Sequence, residues 1–106
     1  MALKILGQVA PAGAALLFQT GAAEVSVISS IIACNVDTVS YNFTIHACIV
    51  GVAGDATNTI FKGTIPPGES FTAVAGVTLG NLDAIRVYSN AGAINKVIFT
   101  AFGDLS

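Results

Sequence analysis

His46 is the only histidine of this 106-residue chain, and Cys48, one of two cysteines, follows it by two positions. On an extended strand that spacing turns both side chains to one face. There an imidazole and a thiolate could hold a metal, or act as base and nucleophile. Zinc typically takes four ligands, and beside this pair the chain offers only Cys34 and six scattered carboxylates, with no CxxC and no second histidine. A Cys–His nucleophile pair needs hydrogen-bond contact and an orienting third group, and same-face neighbours two apart stand too far from each other for that. The structural reading prevails: His46 on the more polar face of a strand, Cys48 as a small hydrophobe. No GxSxG is present, the carboxylates form no recognisable pair, and GVAG at 51–54 lacks the lysine and helix that phosphate binding requires. We therefore expect no enzyme, no cofactor and no metal.

A second group is AIRVYSN at 84–90, where Arg86, Tyr88 and Asn90 share one parity and Ile85, Val87 and Ser89 take the other. Arg and Tyr are favoured interface anchors, so Arg86, Tyr88 and Asn90, with His46, form a candidate protein-contact face. An exposed sheet face with Arg86 lying along it is the plainer alternative. Glycan binding is disfavoured, because the chain has no Trp and two Tyr, and Tyr41 is in phase with the core side of its strand.

The elements that must position these residues are read from alternation. In VSYNFTIHACI, Val39, Tyr41, Phe43, Ile45, Ala47 and Ile49 fall on one face, and Ser40, Asn42, Thr44, His46 and Cys48 on the other. That is a half-buried strand with its first set toward the core. Residues 24–34 are Val/Ile-rich, apolar on both faces towards their end, and read as a central strand. NVDT at 35–38 suggests a hairpin between the two. Such a hairpin would set Cys48 opposite Val25 and the two cysteines roughly 30 Å apart, beyond a shared metal or a disulfide. Further strands are expected at 4–9, 15–19, 59–64, 70–75, 84–89 and 96–102, punctuated by PAG, GDATN, IPPGE, LGNLD and NAGAIN. The sum is a single domain over 1–106, all-β, an antiparallel β-sandwich or jelly roll of about eight short strands.

Charged residues make up 9 % of the chain and apolar ones 54 %, against roughly 25 % charged in an ordinary soluble domain. Asp37, Asp55, Glu69 and Asp83 all fall in expected turns, so strand faces and edges are left almost uncharged, although a free sandwich blunts its edges with charge. A membrane span is not supported, since the best uncharged run, Ile5–Ala23, is broken by Gln8, Pro11, Gly13 and Gln19. That interruption also argues against a secretory signal, so synthesis in a cytoplasm and free thiols are expected. Nucleic acid is disfavoured by a net charge of −2 with Lys4, Lys62, Arg86 and Lys96 scattered. Subunit contacts are left to cover the neutral surface.

The order of several segments resembles small structural proteins of tailed-bacteriophage virions. A short strand (Phe18–Thr20) precedes a tight turn (Gly21–Glu24) and a Val/Ile-rich strand ending in Cys34–Asn35. A turn at Pro67–Ser70 leads to a strand, then an element at Leu79–Val87, and the chain closes on Phe102, Gly103 and Asp104. The likeness runs from about Leu6 to Asp104. It implies a β-sandwich that acts as a capsid decoration (cement) protein or as a module of head or tail fibres, often trimeric. The partners implied are further copies of the chain, as a homotrimer, and the major capsid protein or other virion proteins at the capsid surface. Asp104 stands where that group commonly has Glu. No extended N-terminal shaft or anchor is seen, which favours a compact decorating subunit. The alternative is a tail- or fibre-associated host-attachment module that binds glycan or protein through loops such as 54–58 and 90–95.

Overall fold

The computed structural model describes residues 4–49, 52, 54 and 57–105. Eight strands follow one another: β1 (Lys4–Val9), β2 (Ala14–Gln19), β3 (Ser26–Asn35), β4 (Tyr41–Cys48), β5 (Thr59–Ile65), β6 (Ser70–Leu79), β7 (Ala84–Ser89) and β8 (Val97–Leu105). They form two antiparallel sheets with strand orders β1-β8-β3-β6 and β2-β7-β4-β5. Eight strands divided in this way between two sheets make a jelly roll, in line with the expected fold class.

The core lies between the sheets. Ile28, Ile31 and Ala33 of β3 and Phe99 and Ala101 of β8 meet Phe43 and Ile45 of β4 and Ile85 and Val87 of β7. The Phe43 and Phe71 rings cross at 4.8 Å between centroids, a tilted arrangement favoured by their quadrupoles. At one open side β1 passes very close to β2. A Cβ on Gly7 would stand 2.1 Å from the main-chain oxygen of Leu17, so only glycine permits that approach.

The expected hairpin between β3 and β4 does not exist. β3 pairs with β6 and β8, β4 with β5 and β7, and Cys48 stands opposite Ala84 rather than Val25. Residues 36–40 carry the chain from one sheet to the other. Buried Asn35 holds this crossover: its Nδ2 donates to the oxygens of Val39 at 2.7 Å and Ile65 at 2.9 Å, while its Oδ1 accepts from the Asp37 amide. Asp37 then accepts from the Tyr41 hydroxyl and faces Lys96 at 3.7 Å. The Tyr41 hydroxyl, then the Thr38 amide and Lys96, hold the Asp37 carboxyl below its ordinary value of 3.8. The same bond raises Tyr41 above 10.0. Turn chemistry announces that the chain reverses, but not which sheet it re-enters. The cysteines still lie apart, in different sheets, with Cys34 beside the crossover and Cys48 by the β6–β7 turn.

Alternation along β4 also has limits. Phe43 and Ile45 are buried as expected, but Val39 and Ile49 lie beyond the strand ends and are 52 % and 67 % exposed. Cys48, assigned to the open face, is 2 % exposed, covered where Leu79 and Asp83 of the β6–β7 turn approach it. Charge on the edge strands β1, β2, β5 and β6 is confined to Lys4 and Lys62.

Candidate functional site

The outer face of the second sheet gathers three of the four expected contact residues. His46 on β4 stands directly opposite Arg86 on β7, and Thr44 opposite Tyr88. From the other side, β2 sets Leu16 against Arg86 and Ala14 against Tyr88. The inward parity of β7, Ile85, Val87 and Ser89, is buried in the core, which fixes Arg86 and Tyr88 outward. Asn90 does not join them. It lies at the end of β7, where its Oδ1 accepts from the Asn42 amide at 2.9 Å and its own amide donates to the Asn42 oxygen.

Between these strands runs a cleft of about 290 Å³, walled by Ala14, His46, Gly54, Arg86, Val87 and Tyr88. Ala14 leaves room beside Tyr88, which is 42 % exposed. Gly54 lies so close over the imidazole that a Cβ there would stand 2.7 Å from His46 Cδ2. This cover leaves His46 8 % exposed, more buried than an open polar face implies. Asn58 Oδ1 lies 3.0 Å from His46 Nδ1, and Thr59 Oγ1 lies 3.2 Å from it. A carbonyl oxygen can only accept, so the contact with Asn58 is a hydrogen bond when Nδ1 carries the hydrogen.

Arg86 is the electrostatic centre of the cleft. Its Nε is shut off from solvent and has no hydrogen-bond partner. Among the described residues the only ion pair is Lys96–Asp37, so no described carboxylate pairs with the guanidinium. Among the same residues, no group of three His, Cys, Asp or Glu could hold a metal. His46 and Cys48 share β4, two positions apart.

Several of these parts were not foreseen. Ala14 and Leu16 join the face only because β2 pairs with β7, some seventy positions later in the chain. Asn58 and Thr59 reach His46 through the irregular β4–β5 pairing, where the register slips between Ile45 and His46. Of the loop 54–58, expected to take part in recognition, residues 55 and 56 lie outside the described residues.

No family model matches the chain, and no curated protein matches it. Among solved structures the chain is similar to one of infectious bursal disease virus, Gt strain. The identity is 13 % and the TM-score 0.37, and the likeness covers 98 % of this chain and 28 % of that one. The chain thus spans little more than a quarter of that structure's length.

Proposed function

We propose that the protein is a structural component of a virion: a capsid decoration (cement) subunit that binds the assembled phage head and stabilises it through protein–protein contacts. The observation that carries this reading is a jelly roll, an architecture used by viral capsid domains, with almost no charge on its sheet faces and edges. Ile5, Val36, Val39, Ile49 and Ile94 are each more than half exposed. Val36, Val39 and Ile94 lie at the crossover end, where the Val36 amide bonds to the Lys96 oxygen. Apolar surface of this kind is costly in a free monomer and useful in an assembly. A homotrimer at a symmetric lattice position would bury part of it, since cyclic symmetry closes such contacts. The shell would bury more. A ligand that binds only the assembled shell stabilises it by mass action.

Particles stripped of the protein should lose resistance to heat or internal pressure, and regain it when the protein is added back. Equal robustness with and without it would end the cement reading. The Arg86–Tyr88 cleft favours a second reading, a tail- or fibre-associated attachment module. Labelling in intact particles separates the two: many copies over the head for cement, a few at the tail vertex for attachment.

A further inference from the structure

Arg86 presents a problem that the rest of the fold does not solve. A guanidinium whose Nε is buried without a partner sits between Ala14, Val87 and Gly54, in a cleft that brings no carboxylate of the described chain to it. Burying a donor unpaired is unfavourable, and more so for a charged one. The described acids are committed or distant. Asp37 lies in the crossover with Tyr41 and Lys96, and Asp83 accepts from the Gly80 amide in the β6–β7 turn. Glu24 folds back over Gly21, Glu69 follows the Pro66–Gly68 turn, and Asp104 lies on β8 of the opposite sheet.

We propose that the cleft is a carboxylate-binding site, and that its occupant is an acidic side chain of a neighbouring protein subunit. The carboxylate chemistry stands on the cleft alone, whereas the protein occupant rests on the virion reading above. Because Nε is closed to solvent, an incoming carboxylate would meet the guanidinium end-on, with two parallel hydrogen bonds from its Nη groups. Tyr88 lines the same cleft and carries a hydroxyl able to donate a further one. His46, fixed by Asn58 and Thr59, forms a rigid wall rather than a mobile competitor. The methyl group of Ala14 and the bare Cα of Gly54 leave room in the cleft for an acidic side chain. Phosphate-rich polymers are a poor match, because no second described cation lines the cleft: Lys62 shares the outer face but stands two strands from Tyr88, beyond Thr44, while Lys4 is on the other sheet and Lys96 beside Asp37. One fork-shaped cation in an apolar-walled cleft reads a single carboxylate, and displaces no counterion atmosphere of the kind nucleic acid requires.

The test is an NMR titration of the full chain at constant ionic strength, following the Arg86 Nε–Hε signal. The probes are the capped peptide acetyl-Gly-Glu-Gly-amide, its Gln counterpart, and N-acetylneuraminic acid as a sugar carboxylate. A saturable shift at Arg86 and at the Tyr88 and His46 rings is expected with the Glu peptide. Binding at least tenfold weaker is expected for the Gln peptide and for Arg86→Met, and intermediate binding for Arg86→Lys, which keeps the charge and loses the fork. No saturable shift, or one that survives Arg86→Met, overturns the site. Saturation by the sugar acid alone overturns the protein occupant and places a glycan there. Peptide binding by a protein that never associates with particles would refute the virion reading and leave the carboxylate site standing.

Discussion

The side-chain amide of Asn35 donates to the main-chain oxygen of Ile65 at 2.9 Å, tying the last residue of β3 in one sheet to the last residue of β5 in the other. Asn35 is fully buried, so each partner it serves would be left unpaired without it. Asn35→Ala is expected to cost about 1–3 kcal/mol. The check is a lowered urea midpoint with an unchanged slope. A midpoint equal to that of the parent would show that the crossover does not depend on this side chain.

Ile45 and Ile49 share a parity but not a fate. Ile45 lies at the centre of the core, while Ile49 projects past the end of β4. Ile45→Ala should cost about 2–5 kcal/mol through lost burial and the cavity left behind. Ile49→Ala should stay within about 0.5 kcal/mol in the isolated protein. Comparable losses from the two would contradict the placement of Ile49.

Gly7→Ala forces a methyl group onto the Leu17 carbonyl oxygen. Because the obstacle is main chain on a neighbouring strand, the two edges must separate. The expected loss is about 1–3 kcal/mol, with hydrogen-exchange protection falling first in β1 and β2. Loss spread evenly over both sheets would point to global rather than edge disruption.

Asp37 gives stability an acid limb. Its carboxyl is depressed in the fold, chiefly by the Tyr41 hydroxyl. The contribution is therefore present above the ordinary value of 3.8 and is lost as pH falls through the lower folded value. Tyr41 is shifted upward, so its part is complete below 10.0 and is lost as pH rises beyond that. In Tyr41→Phe the Asp37 carboxyl carbon should titrate closer to its ordinary value by NMR. An unmoved titration would mean that Lys96 and the Thr38 amide suffice.

The residues differ in how far their surroundings could be read in advance. Phe43, Ile45, Ile85 and Val87 announce themselves by alternation, because one face of each strand must leave water. Arg86 and Tyr88 follow by parity from the same fact. What pairs with what is decided by side chains far apart in the chain. Nothing local in NVDT distinguishes a hairpin from a crossover, and nothing near Arg86 announces His46 on one side and Leu16 on the other. The cover over His46 and Cys48 comes from Gly54 and from the β6–β7 turn, so their burial is invisible to a strand pattern. Asn90 carries the right parity, but its bonds to Asn42 use it to finish the strand pair.

The pairing of β1 has a consequence for how the molecule is made. Its hydrogen-bond ladder is with β8, Lys4 opposite Gly103 and Val9 opposite Phe99. β8 also supplies the inner neighbour of β3. A ribosome that has released everything before Val97 has produced no lasting partner for the first strand, and only one side of β3 can be satisfied. Folding of these two sheets therefore waits until the last strand has emerged, on the slow millisecond-to-second scale of topologies ruled by distant pairings. Until then their long, nearly uncharged strands remain open to one another on neighbouring chains.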